Sequence, residues 1–388
     1  MTDSYDAVVV GAGILGAAAG YHVAAAGLRA AVVDRNDPGQ ATSAGAGIVC
    51  PVTATVGDER LIDLAFAAAD YYPALAAELC DGGAPTGYQA SAMLSVSVGG
   101  AGLEQVSRTA AWADRVAGST NYTALCRYTK LSAPECLTHC SNLSDRVDGG
   151  LLIDAAQVDG NEFRNSLLKA GRRLGLTVLN GDVAQVRVSA HDVQCDLDSG
   201  ETLTAGHAVV CAGAWTERLL TLGNATPVIT AARGEILHLQ VDGLDTAAWP
   251  LVEVEGGGPY IIPWPSGRLA VGTTFESAPD LDARPTLSGI RQIADSLERA
   301  TGGLMGVARL VEYRVGLRPV SLDGLPVIGR WPAAERVVFA TGHGANGLSW
   351  GPYTGKLVAD MISGQHSGID LRPFAVDRFE ESAGKEQV

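Results

Sequence analysis

The feature that most constrains this chain lies at its start, where the apolar run Ala7-Val8-Val9-Val10 leads directly into Gly11-x-Gly13-x-x-Gly16. A short β-branched run of this kind reads as a buried parallel strand. The glycines then form a tight turn, Ala17 to Ala26 reads as a helix, and Gly27 stands where a helix ends in left-handed backbone. A second apolar strand, Ala30 to Val33, ends in Asp34. In such a unit the first glycine permits the turn, the second lets a pyrophosphate approach the backbone, and the third lets helix pack on strand. The helix N-terminus offers the phosphates free N–H groups and the positive end of its dipole. Asp34 is placed to accept the two hydroxyls of an adenosine ribose, and its charge would repel a 2′-phosphate, which disfavours NADP. The unit predicts a bound dinucleotide without separating NAD from FAD.

The stretch Ala7 to Leu28 carries no Asp, Glu, Lys or Arg and is long enough to cross a membrane. Acidic Asp3 and Asp6 precede it where a signal peptide would be basic, and glycines break its apolar character into two blocks. A buried strand, turn and helix account for it better. The chain has 388 residues and is 47% hydrophobic, enough for two domains or for one domain carrying an insertion. Its formal net charge of −15 contains no single-sign tail and opposes nucleic acid or an anionic membrane as the main partner. The seven cysteines are unevenly spread and odd in number, which suits a reduced, cytoplasmic protein and is compatible with a homo-oligomer. Cys136, His139 and Cys140 lack a second ligand pair at matching spacing, so no metal site is expected.

Further along, Arg60–Leu79, Leu103–Val116, Gly160–Leu174 (with Asp159 as N-cap) and Leu287–Ala300 read as helices. Ser91–Val98, Gly150–Asp154, Ala308–Leu317 and Val337–Ala340 read as strands, and several short strands follow one another from Thr177 to Cys211. From Val228 to Gly272 the alternation is that of an antiparallel sheet. The last strand enters the turn Gly342-His343-Gly344-Ala345-Asn346-Gly347, followed by a helix from about Ser349 to Ile362.

Three segments together resemble the D-amino-acid oxidase superfamily of FAD-dependent oxidoreductases, with glycine oxidase, sarcosine oxidase and bacterial D-amino-acid dehydrogenases as relatives. They are the opening Gly11-Ala12-Gly13-Ile14-Leu15-Gly16 with Asp34-Arg35, the segment Gln40 to Ile48, and the end Gly316-Leu317-Arg318-Pro319 through Asp323-Gly324-Leu325-Pro326 to Gly347. The resemblance spans nearly the whole chain in one order. It implies an α/β (α+β) fold: a Rossmann-like FAD-binding domain from residues 1–84, 150–226 and 319–388. A substrate-binding domain with a mostly antiparallel sheet would come from residues 85–149 and 227–318. It implies FAD contacts at Thr42, Ser43, Ala46, Gly47 and Ile48, at Val183 for the adenine, at Ala212, Gly213 and Trp215, and at Gly342, Gly344 to Leu348 beneath the flavin. No Cys follows Cys211, which implies non-covalent FAD, since the sarcosine oxidase attachment would need one near the last strand.

The resemblance also implies a substrate site. Arg318 matches the residue that binds the substrate carboxylate in glycine oxidase, a role suited to a planar guanidinium with two parallel donors. The bland alternative for Arg318 is an ion pair with Asp323. Tyr260 matches a tyrosine that helps hold that carboxylate, with a core tyrosine as the alternative, and Trp264 could wall the pocket. His343 is a candidate base or a backbone-contacting residue, and Arg233 reads as structural. Where glycine oxidase carries a basic residue this chain has Ala345, so glycine itself is a doubtful substrate. The implied reaction is oxidation of a small carboxylated amine, foremost a D-amino acid, by hydride transfer from its neutral amine form. An imine forms and hydrolyses to the oxo acid, and oxygen or a quinone takes the electrons. N-methyl amino acids, 2-hydroxy acids, or a non-catalytic FAD-binding subunit are the alternatives.

Overall fold

The computed structural model describes residues 4–81, 85–119, 121–219 and 229–379. The expected domain ends at 1, 84, 226 and 388, and Val228, lie outside that set. Two sheets organise these residues. The first has eight strands around a parallel centre in the order Ala334–Thr341, Thr202–Val210, Tyr5–Val10, Ala30–Asp34 and Thr177–Asn180. A central strand is Tyr5–Val10, in which Ala7, Val8 and Val9 are completely buried. Each such valine contributes about 2 kcal/mol of transfer free energy. The uncharged opening is therefore the centre of a globular core, and no helix among the described residues is long and apolar enough to cross a membrane.

The helix Ile14–Ala25 lies on this sheet and crosses the last helix, Gly347–Ser363, at close range. A Cβ on Gly355 would come within 2.5 Å of Ala18 Cβ, and one on Gly351 within 3.0 Å of Ile14 and Leu15. Small residues on both helices are what let the two axes approach this closely. As a consequence the two N-termini open onto the same groove.

The second sheet has ten strands, with Glu276–Ser277, Ile229–Gln240, Arg268–Gly272, Tyr260–Trp264, Leu251–Val254, Tyr88–Val98, Val147–Val158 and Ile48–Val49 in sequence across it. It is antiparallel except where Leu251–Val254 runs parallel to Tyr88–Val98. Arg309–Ser321 pairs along the whole of Ile229–Gln240. One face is covered by the helix Leu287–Ala300 through Ile293 and Leu297. The other, with Met93, Leu251, Ile262 and Ala270, turns toward the nucleotide-binding body.

The strand expected at Gly150–Asp154 is part of Val147–Val158, which pairs with Tyr88–Val98 in the second sheet. A division drawn at residue 150 therefore cuts through one strand, because this run is apolar on both faces and its sequence does not reveal which sheet it joins. By strand pairing the crossing between sheets falls after Val158, where Asp159 caps the helix Gly160–Arg173 by accepting from the N–H groups of Asn161 and Glu162.

Candidate active site

One cavity of about 610 Å³ runs along the carboxyl ends of the first sheet and under the second. The first crossover contributes Gly11, Gly13, Ile14, Leu15, Asp34 and Arg35 to it, and the following segment Thr42, Ala46, Gly47 and Ile48. Val183, Ala212, Gly213 and Trp215 line it, as do Gly344, Ala345, Asn346, Gly347 and Leu348. Tyr260, Arg318 and His343 reach the same space. Gly16, Ser43 and Gly342 do not line it. Gly16 is a packing residue, since a Cβ there would overlap the Gly11 carbonyl oxygen. Gly342 turns the chain with φ +74°, and the Ser43 carbonyl accepts from Arg314 Nη1 at 3.1 Å.

The groove is shaped by what it excludes. A Cβ on Gly11 would lie 2.5 Å from the Cys211 carbonyl oxygen, and one on Gly13 3.2 Å from Thr42 Oγ1. Thr42 Oγ1 accepts from the Ile14 N–H at 2.9 Å and so ties the segment Gln40 to Ile48 to the start of the first helix. Asp34 accepts from the N–H groups of Ala12 at 2.5 Å and Asn36 at 2.6 Å. Its carboxylate is thereby held at the strand end, with lone pairs left for hydroxyl donors. Arg35 pairs with Asp37 and Asp182, and its guanidinium stands 5.6 Å from the Trp215 ring centroid. A glycine-lined phosphate cradle, a carboxylate beyond it and a second helix N-terminus at the far end fit an adenine dinucleotide whose other ring system gains electrons.

A match to the family described as FAD-dependent oxidoreductase (DAO) covers residues 6–361. The chain belongs to this family. It is 32% identical over 369 residues to the uncharacterized oxidoreductase YurR of Bacillus subtilis, covering 95% of this chain and 97% of that one. It is 29% identical to a glycine oxidase of Bacillus licheniformis, over 94% of each. The solved structure of iminodiacetate oxidase from Chelativorans sp. BNC1 superposes with a TM-score of 0.88 at 30% identity, covering 95% of this chain and 98% of that one. The protein is thus an FAD-dependent oxidoreductase. The groove residues fit the cofactor, which supplies a two-electron acceptor when bound.

Beyond the nucleotide groove, the cavity floor is the second sheet. Arg318 donates to the Thr274 carbonyl at 3.0 Å and to Thr273 Oγ1 at 2.7 Å. Its guanidinium lies flat on Gly234, where any Cβ would collide with it. Burial pushes its pKa down, although a guanidinium stays charged at neutral pH, and no carboxylate pairs with it among the described residues. The alternative partner is taken, because Asp323 binds Arg378 bidentately at 2.8 and 3.0 Å. Arg233 is structural, paired with Glu276 and Glu235.

Tyr260 spans the neighbouring strand, its hydroxyl 2.5 Å from where a Gly272 Cβ would be. Burial raises its pKa, while the charge of Arg318 and a hydrogen bond with Thr273 act the other way, so the phenol remains a donor. His343 is 2% exposed, and both ring nitrogens are engaged, Nδ1 with the Thr341 carbonyl and Nε2 with Thr354 Oγ1, each at 2.9 Å. The carbonyl can only accept, which places the proton on Nδ1 and lets Thr354 donate to Nε2. Burial pushes its pKa down to about 4. This arrangement leaves no free lone pair for proton transfer. Trp264 lies outside the cavity and lines a separate one. The sequence reading overlooked Thr273 and Glu253, both on the cavity wall. For Glu253 the signal was a lone carboxylate inside the apolar strand Leu251-Val252-Glu253-Val254.

Proposed function

We propose that the protein oxidises the C–N bond of a small carboxylated amine, a D-amino acid in the first place, to an imine that water converts to the oxo acid. The observation that carries this reading is Arg318, a half-buried cation without a carboxylate counterpart among the described residues, beside Tyr260 and Thr273. A guanidinium already anchored by two of its donors presents the rest in a fixed direction, so it can orient a carboxylate without losing rotamer freedom at the moment of binding. Tyr260 adds a neutral donor at the same place. Together they fix one end of the substrate and leave its amine-bearing carbon to face the flavin.

The apolar surroundings favour the neutral amine over the ammonium, which is the form able to release electrons from the adjacent carbon. His343 serves to hold the turn Gly342 to Gly347 in place rather than to move a proton. FAD is held without a covalent bond in this reading, because no Cys follows Cys211, and the two thiols that line the cavity are buried. The Cys50 pKa is pushed up to about 11 and that of Cys211 to about 12.

The superposition with iminodiacetate oxidase favours a second reading, oxidation of a secondary amine bearing carboxylates. Anaerobic mixing of the yellow holoenzyme with D- and L-amino acids, N-methyl amino acids, iminodiacetate and 2-hydroxy acids separates the two. Bleaching of the flavin band by D-amino acids is the expected outcome. Bleaching only by hydroxy acids, or by none of these compounds, would overturn the proposal. Readmitting air distinguishes oxygen from a quinone as the acceptor.

A further inference from the structure

Glu253 lines the same cavity as Arg318 and Tyr260 but has no role in the chemistry described above. It makes no hydrogen bond or ion pair with another described residue, although neighbouring Glu255 is held by Ser95 Oγ at 2.7 Å. Glu253 is half-buried on the cavity wall, so its unpaired carboxylate is open to a ligand that enters the cavity.

The register of the second sheet locates it. Glu253 is the cross-strand partner of Tyr260, and Tyr260 is the partner of Gly272, so these positions form one row on one face. On the next strand, Ile229–Gln240, that row continues at Ile236, and the Arg318 guanidinium rests over Gly234, two residues further along the same face. Cation, phenol and carboxylate therefore follow one another across the sheet. The strands of Gly234 and Glu253 are three spacings apart, about 14 Å, and the two-residue offset adds about 7 Å along the strands, so the two positions are about 16 Å apart. The Glu253 side chain reaches about 4 Å from its backbone, and with a hydrogen bond of about 2.9 Å at each end about 6 to 10 Å remains for the molecule that joins them. The α-amine of an amino acid is too near its own carboxylate, at about 3 Å, to bridge this gap. A terminal amine on an extended side chain of three or four methylenes does bridge it.

We propose that Glu253 is the residue that selects the substrate side chain, favouring a carboxylated amine with a second cation about 8 Å from its carboxylate, a diamino acid of ornithine or lysine size. This rests on the reading that Arg318 holds the carboxylate. Burial first, and then the nearby Glu255 charge, push the Glu253 pKa up to about 7. The other titratable groups facing it are Cys50, whose thiol its charge helps to raise, and the phenol of Tyr260. None is a cation, so a cationic ligand would be the first positive charge to reach it. Its charged form prevails above pH 7, so the preference for a cationic side chain is full there and declines as pH falls below about 7.

The test compares lysine with norleucine, and ornithine with norvaline, in both enantiomers, using the FAD-loaded enzyme and its Glu253→Gln variant at pH 8 and pH 6. In the wild type at pH 8, kcat/KM for lysine should exceed that for norleucine by about 100-fold, and Glu253→Gln should lower this ratio at least about tenfold. The wild-type ratio should also shrink on going to pH 6. A ratio unchanged in Glu253→Gln, or an equal fall for both substrates, overturns the inference. Norleucine bleaching the flavin as well as lysine in the wild type overturns it too, with the proposed reaction left standing. Bleaching by no carboxylated amine overturns both. If Glu253→Gln fails to hold FAD, the wild-type pH dependence of the ratio decides.

Discussion

The two sheets recognise their ligands by opposite means. Along the first, the groove is made mostly of backbone: Gly11 and Gly13 admit a phosphate chain, two helix N-termini face it, and Asp34 is held at a strand end by backbone N–H groups. Along the second, the wall is made of side chains on or next to antiparallel strands, with Arg318, Tyr260, Thr273 and Glu253 each on or beside a different strand. A parallel sheet can offer only its ends, because helices cover its faces. An antiparallel sheet covered on one side can offer its other face, and there substitution changes specificity without breaking the turn chemistry. The cofactor, common to many reactions, is bound where the backbone decides; the substrate is bound where side chains can vary.

This contrast can be broken by substitution, and the largest effect is expected in the backbone-built region. Gly16→Val should yield colourless protein, because any Cβ at that position overlaps the Gly11 carbonyl oxygen. Overpacking of this kind costs about 3 kcal/mol or more, read as lost flavin absorbance and a lowered Tm. A yellow variant of normal Tm would show that the turn is not the rigid element described here.

Arg318→Leu should spare flavin binding and lower kcat/KM for carboxylated amines about 10²- to 10³-fold, the range for losing a charged partner in an enclosed site. An unchanged KM for such amines would remove Arg318 from the carboxylate site. The smallest effect should come from Asp34→Asn, which keeps the shape and loses one charged acceptor. FAD affinity should weaken about tenfold by titration of the apoprotein, the value of one charge-assisted hydrogen bond. If Asp34→Asn proved as damaging as Gly16→Val, the groove would depend on side-chain charge as much as the second sheet does.

The first region was readable because its chemistry is local. Strand, glycine turn, helix and Asp34 follow within a few dozen residues, and the helices Leu103–Ala117, Gly160–Arg173 and Leu287–Ala300 came from equally local periodicity and capping. Arg318 and Tyr260 could be singled out only through resemblance, since nothing near them in the chain announces a ligand. That Gly150–Asp154 joins the second sheet could not be read, because the short apolar run Gly150-Leu151-Leu152-Ile153 suits a strand of either sheet.

By itself the sequence determined the dinucleotide-binding unit, though not which dinucleotide, since backbone conformation at glycines and an acid after a strand are properties of neighbouring residues. Tertiary structure decided which groups share the substrate wall. It gave Asp323 to Arg378, 55 residues away, and left Arg318 without a carboxylate partner among the described residues. It closed both nitrogens of His343 and set Glu253 across from Tyr260. Strand register and long-range pairing bring together residues far apart in the chain, and no local pattern encodes a distance between them.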